Sequence, residues 1–288
     1  MNLVFHVLIM AGIYMILALG LNLLVGYAGL FSVGHGAFYG IGAYAGAILA
    51  TRLAVPFWLE IVVAAGVAGA FGLLIGLPIL RLRGDYLALA TFGFAVMVHA
   101  VLNNWVELTR GPLGIRGIPK VTLMSVPFTA LWSYAILVGL CVALTTLCIG
   151  RLTRSAFGRV LEAIREDEVA ALAIGKNSAR FKVVAFVIAA FLAGMAGVLY
   201  AHYVTFIDPS SFVVQESFLV FSMVIFGGMG SIGGSLLGAG ILVILPELLR
   251  FIGLPAAIAA HTRQMIYGAL IVGVINWRPR GLLGRVRL

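Results

Sequence analysis

Apolar residues in this chain come in long blocks, not in the alternating or striped patterns of a water-soluble core. Blocks with few charges cover residues 3–25, 29–50, 54–80, 86–105, 130–150, 183–203, 217–249 and 254–277. Roughly 20 apolar residues span a bilayer as a helix, so the pattern predicts an all-α, polytopic transmembrane bundle of about eight to ten spans. The 217–249 block is too long for one simple crossing. It carries Gly227-Gly228-Met229-Gly230-Ser231-Ile232-Gly233-Gly234 in its middle, so it is either two crossings with a tight turn or a broken helix. The first block has no Lys or Arg before it and so lacks the charged region of a cleaved signal peptide; it reads as a retained membrane segment.

Composition supports the same solvent. Of 288 residues, 62% are hydrophobic and only 10% are charged, against about 25% charged in a soluble domain. No polar stretch is long enough for a second domain, so residues 1–288 read as one membrane domain containing a polar segment at 151–182. The net charge of +9 would point to nucleic acid in a soluble protein. Here the positive-inside rule explains it better, and nucleic acid is not an expected partner. The 151–182 segment carries Arg151, Arg154, Arg159, Arg165, Lys176, Arg180 and Lys182. Arg81 and Arg83 add two more, and the tail adds Arg278, Arg280, Arg285 and Arg287. All of these are expected on the cytoplasmic side, with the C-terminus. The 204–216 connection has no basic residue and contains Asp208 and Glu216, so it is expected outside. Cys141 and Cys148 fall in one apolar run, where the geometry does not suit a disulfide. They read as small buried apolar residues.

Glycine spacing carries the next layer. Gly36/Gly40, Gly42/Gly46, Gly72/Gly76, Gly230/Gly234 and Gly234/Gly238 are small-xxx-small pairs, which let helix backbones approach in lipid. Ser32-Val33-Gly34-His35-Gly36, followed by Gly40 and Gly42, looks like Ser231-Ile232-Gly233-Gly234-Ser235, followed by Gly238 and Gly240. Matching Gly-interrupted segments near the two ends of a membrane protein point to a transport pathway; chance similarity in a Gly-rich chain is the rival explanation. Unwound backbone survives at membrane depth only where protein or water satisfies it. Ser32, Gly34, His35, Gly36, Ser231, Gly233 and Gly234 are therefore the candidates for lining a passage.

Other chemistries fit poorly. Gly228-Met229-Gly230-Ser231-Ile232-Gly233 matches the dinucleotide pattern in form but sits inside a membrane run and not between strand and helix. No phosphate-binding loop occurs, so ATP-Mg, if used, is expected on another subunit, with no cofactor or metal held by this chain. His6, His35, His99, His202 and His261 are scattered, and Ser231 lacks the glycine two positions before it that a nucleophile elbow requires. No catalytic residue is expected, and the chain reads as a transport component, not an enzyme.

The 151–182 segment is the most informative. Ser155 can cap a short helix with Phe157, Leu161 and Ile164 at helical spacing, and Asp167 can cap a second helix stopped by Gly175. Short amphipathic helices with charged rims suit docking into a partner's groove, whereas Glu162, Glu166, Asp167 and Glu168 disfavour lying on anionic lipid.

Leu161-Glu162-Ala163-Ile164-Arg165-Glu166-Asp167-Glu168-Val169-Ala170-Ala171, followed by Gly175, resembles the cytoplasmic loop of ABC-importer permeases for branched-chain amino acids, of the LivM type. Three other stretches are similar to that family's motifs. They are Gly26-Tyr27-Ala28-Gly29 with Ser32-Val33-Gly34-His35-Gly36-Ala37-Phe38, then Phe226 to Gly234, then Arg278-Pro279-Arg280-Gly281-Leu282-Leu283-Gly284. The likeness runs from about residue 10 to the end. Leu30-Phe31, Lys176 and Thr109 to Gly114 depart from the usual pattern and bear on which molecule is carried. Close relatives carry urea, short amides or aromatic acids.

The resemblance implies a bacterial inner-membrane permease paired with a second permease of related sequence. Two ABC ATPase subunits would sit below, and a soluble extracytoplasmic binding protein would deliver substrate. It implies ATPase coupling through Phe157, Leu161, Glu162, Ala163, Ile164, Arg165, Glu166, Asp167, Glu168 and Gly175. The 105–120 and 204–216 connections are the expected binding-protein contacts. The alternative is a self-sufficient secondary transporter or channel, which would need an intramembrane carboxylate; Glu60 and Glu247 are the candidates.

Overall fold

The computed structural model describes residues 2–251 apart from 83, 124, 125 and 129, together with 265, 268, 269, 272–274, 276, 278 and 281–284. Most of the 254–277 block, with His261, lies outside the described residues, as do the side chain of Glu247 and residues 280, 285 and 287 of the tail.

Within them the chain is a helical bundle. Its helices are α1 (Asn2–Asn22), α2 (His35–Arg52), α3 (Phe57–Ile79), α4 (Asp85–Asn104), α5 (Val106–Thr109), α6 (Leu131–Arg154), α7 (Ala156–Glu166), α8 (Glu168–Ala173), α9 (Ser178–Val204), α10 (Val214–Gly227) and α11 (Ile232–Phe251). Five spans are long and apolar enough to cross a membrane: Leu3–Tyr27, Phe57–Ile79, Asp85–Asn104, Leu131–Arg154 and Ser178–Val204. Extended structure is confined to two-residue strands. Of these, β1 (Ile115–Arg116) pairs antiparallel with β4 (Phe206–Ile207), and β2 (Thr122–Leu123) pairs with β3 (Val126–Pro127).

Burial follows each helix's apolar pattern. A helix that is apolar all round belongs in the interior, and α1 is mostly buried, packed against α6, α9, α10 and α11. By contrast α3, α4 and α6 present Val62, Leu74, Leu89, Met97, Ile136, Leu140 and Leu147 outward, as a lipid-facing shell does. Cys148 is among these outward residues and Cys141 is half-buried; both are free. The expectation of buried cysteines is corrected to this extent, because an apolar side chain on such a helix gains nothing by leaving lipid.

Glycines set the closest approaches. Any Cβ on Gly42 or Gly197 would fall within 3.0 Å of the α9 or α2 backbone respectively, and one on Gly72 would meet Ala190 as closely. The 217–249 block folds as a helical hairpin, with the Gly-rich stretch as the turn between α10 and α11. Gly227 lies against Gly234, and Met223 against Gly238, so α10 and α11 run antiparallel. Only 14 residues make up α10, a length of about 21 Å, short of the roughly 30 Å hydrocarbon core.

The bundle has two distinct ends. At one, β1–β4 joins the 105–120 connection to the strand after α9, and Ile118 N–H bonds Thr205 O. At the other stand the α1–α2 and α3–α4 connections, α7, α8, the α10–α11 turn and residues 281–283. This second end carries Arg81, Arg151, Arg154, Arg159, Arg165, Lys176, Arg180 and Lys182.

Candidate functional site

The basic end is built from caps. Ser155 Oγ accepts from Phe157 N–H at 3.2 Å and starts α7, as its spacing predicts. Asp167 Oδ1 accepts from Val169 and Ala170 N–H at 2.9 and 3.0 Å and starts α8. The backbone turns left-handed at Gly175, with φ of 80°. Next, Asn177 Oδ1 caps α9 through Arg180 N–H at 3.2 Å.

The two short helices divide their faces in a way the spacing does not reveal. Leu161 and Ile164 are buried within the chain itself, and Phe157 stacks on Phe181 of α9 at 5.4 Å. Their apolar stripe therefore anchors α7 to its own bundle. The surface left open is Ala163, Glu166 and Asp167 together with α8 and the turn after it, where Val169, Leu172 and Ile174 are 68%, 48% and 71% exposed. Lys182 Nζ pairs with Glu168 Oε1 at 2.7 Å, holding α8 against α9. Arg165 points inward: its Nη1 donates to Gly26 O, and its Nη2 bonds Glu166 Oε1 at 2.7 Å. Glu162 lines a cavity of about 400 Å3 with Tyr27, Thr153, Arg154, Arg159, Ser231, Ile232 and Gly233.

The two Gly-rich breaks lie at different depths, and the structure does not bring them together directly. After α1 the chain makes a π-helical turn over Leu23–Tyr27 and folds back before α2 begins. Ser32 and His35 are each 1% exposed, and the His35 ring rests against Gly20. Gly20 lies seven residues before the end of that turn, about 10 Å into the bundle. The unwound backbone is satisfied by hydroxyls: Val33 N–H bonds Thr91 Oγ1 at 3.0 Å, and Gly36 N–H bonds Ser217 Oγ at 2.8 Å. Ser217 belongs to the first turn of α10, so the starts of α2 and α10 meet inside the bundle. By contrast Ser231 and Gly233 sit at the basic end, Gly233 exposed, while Gly234 is buried against Gly227. Residues 281–283 cover this turn: Leu282 and Leu283 N–H bond Phe226 and Gly227 O at 3.1 and 2.9 Å, capping carbonyls that a helix end leaves open.

Sequence reasoning missed several participants. Asn22 joins the two regions: its Nδ2 donates to Ser231 O at 3.1 Å and its Oδ1 accepts from Gly230 N–H at 2.9 Å. Thr91 and Ser217 were missed in the same way. A lone amide or hydroxyl inside an apolar run was the available signal. Glu216, assigned from sequence to an outer connection, lies in the first turn of α10, where Tyr14 O–H donates to it at 2.8 Å.

Glu60 is held near the β1–β4 end. Its Oε1 lies 2.6 Å from His202 Nε2, both side chains being almost fully buried. Opposite, His202 Nδ1 stands 2.7 Å from Pro119 O, which can only accept, so Nδ1 carries a hydrogen. The pair shares this short hydrogen bond away from water. It fastens α3, α9 and the outer connection together. Among the described residues no group of His, Cys, Asp and Glu could hold a metal ion.

Comparison with known proteins gives a consistent picture. The family described as branched-chain amino acid transport system / permease component matches residues 3–275. The high-affinity branched-chain amino acid transport system permease protein LivM of Escherichia coli is 40% identical, over 96% of this chain and 68% of its own length. LivM of Salmonella typhimurium is 39% identical, over 96% of this chain and 69% of its own length. The LivH permease protein of Escherichia coli is 28% identical over 94% of this chain and 91% of its own. No solved structure matches the chain.

Proposed function

Because this chain belongs to the permease family of branched-chain amino acid transport systems, we propose that it is the LivM-like permease subunit of an ATP-driven importer for branched-chain or other hydrophobic amino acids. It pairs with a second permease of related sequence, a reading supported by its likeness to both LivM and LivH proteins. Two ATPase subunits carrying ATP-Mg bind the basic end, and a soluble binding protein delivers substrate to the joined 105–120 and 204–216 connections. The basic end and the C-terminus face the cytoplasm of a bacterial inner membrane, in keeping with the positive-inside rule.

The observation that carries this reading is the open face of α8. Val169, Leu172 and Ile174 are apolar and exposed on a polar, charged segment outside the apolar spans. This chain does not cover them, and a hydrophobic groove on another subunit would. Glu162, Ala163, Glu166, Asp167, Glu168 and Gly175 flank that face or its approach. Leu161, Ile164 and Phe157 act from behind by fixing α7. Ser231, Gly233 and Gly234 lie at the inner mouth of the passage, while Ser32, Gly34, His35 and Gly36, sealed within the bundle, are the part that shifts as the passage opens against the partner permease.

Affinity-tagged chain solubilised from native membranes is expected to bring both ATPases with it. Leu172→Asp combined with Ile174→Asp is expected to remove them while leaving the membrane body folded. Amino-acid uptake by the purified chain alone in liposomes, without any ATPase, would refute the reading.

A further inference from the structure

Arg165 lies on the helix expected to meet the ATPases, yet its guanidinium turns away from that surface. Its side chain is only 18% exposed, and Nη1 reaches 139 residues back in the chain to the Gly26 carbonyl. That carbonyl belongs to the π-helical turn that ends the first span, where the last carbonyls of a helix lack intrahelical partners. A cation there also complements the negative end of the helix dipole. Gly29, with φ of 66°, lies so close that a Cβ on it would stand 2.8 Å from Arg165 Cγ. The arginine stem is thus clasped by the turn as well as bonded to it.

From Gly26 the connection continues. A Cβ on Gly26 would fall within 3.0 Å of Gly230 N and Cα, so two backbones touch there. One turn earlier, Asn22 bonds Gly230 N–H and Ser231 O. Both Gly-rich breaks are therefore reached from α7 through one side chain: Arg165 to the π turn leading into the first break, and the π turn to the α10–α11 turn that is the second. Wide helical turns of this kind are rare and recur at functional positions; one can absorb a shift by passing to the narrower α form.

We propose that Arg165 is the internal strut that transmits movement of the coupling helix to the π turn of α1 and hence to both breaks, and is not itself an ATPase contact. This inference rests on the coupling reading above. It reassigns Arg165 from the outer, partner-facing set to the inner, transmitting one.

The test uses the assembled transporter. Arg165→Ala is expected to co-purify with both ATPases, yet transport should fall by about tenfold, in the range of ordinary coupling energies, and ATP hydrolysis should cease to respond to substrate-loaded binding protein. On the unaltered complex, hydrogen exchange in peptides covering residues 23–31 should change when a non-hydrolysable ATP analogue binds. Loss of the ATPases from the Arg165→Ala complex would overturn the inference and make Arg165 a docking residue, leaving the coupling reading intact. Normal transport by the variant would overturn it too, as would nucleotide-independent exchange at 23–31. Absence of ATPases from the unaltered preparation would instead defeat the coupling reading itself.

Discussion

Asn22 occupies the last turn of α1 at 1% exposure. Both halves of its amide are used, one accepting from Gly230 N–H and the other donating to Ser231 O. Removing the side chain leaves the buried Gly230 N–H without this acceptor. Asn22→Ala is expected to cost about 1–3 kcal/mol, the usual penalty for a stranded buried polar group, and to show as a lowered melting temperature of the detergent-solubilised protein. Asn22→Asp keeps an acceptor for Gly230 but sets a buried carboxylate against the Ser231 carbonyl, and should cost at least as much. An unchanged melting temperature for Asn22→Ala would mean that the α10–α11 turn is held by its glycines and the 281–283 cap alone. Thr91 and Ser217 act at the other break by the same logic, each giving an oxygen to a backbone N–H that the unwound segment leaves open.

Among helices, attraction depends on how closely backbones approach, because burying apolar surface against lipid gains nothing. The α2–α9 contact shows this most directly: Gly42 lies on Gly194, and Gly197 lies on Tyr39 and Ala43. Gly66 of α3, Gly93 of α4 and Gly139 of α6 have open space where a Cβ would go. Gly42→Ala is therefore expected to push α2 off α9 at a cost of about 1–3 kcal/mol or more, with a sharp fall in folded yield. Gly66→Ala should lie within about 0.5 kcal/mol of the unaltered protein. Equal behaviour of the two variants in size-exclusion profile and melting temperature would show that the glycines serve flexibility and not packing. The short α10 belongs to this scale as well. It begins part-way into the bundle, after the 206–212 segment, where Ser217 meets the start of α2.

For the molecule as a whole, the basic 151–182 segment lies at one end and the β1–β4 pairing lies at the other. In a background with Cys141→Ala and Cys148→Ala, Leu113→Cys and Ile174→Cys are 70% and 71% exposed reporters of the two ends. A membrane-impermeant maleimide added to intact spheroplasts should label the first and not the second; labelling of both from one side would remove the sidedness on which the transporter reading depends. The bundle, the polar elbow and the caps at Ser155, Asp167 and Gly175 were legible in the sequence, since lipid obliges each span to satisfy its own backbone and caps act over a few residues. The inward turn of Arg165, the Asn22 bridge and the packing of Leu161 against its own chain were not legible. Those contacts join residues as far as 209 apart, and a local pattern records that a side chain is polar or apolar without recording what it meets. Composition and periodicity by themselves determined that this chain is a helical membrane body with a charged elbow. Only the tertiary structure decided which face of that elbow is exposed and which side chain ties it to the turn before the first break, because depth and contact in a bundle depend on how all the helices pack at once.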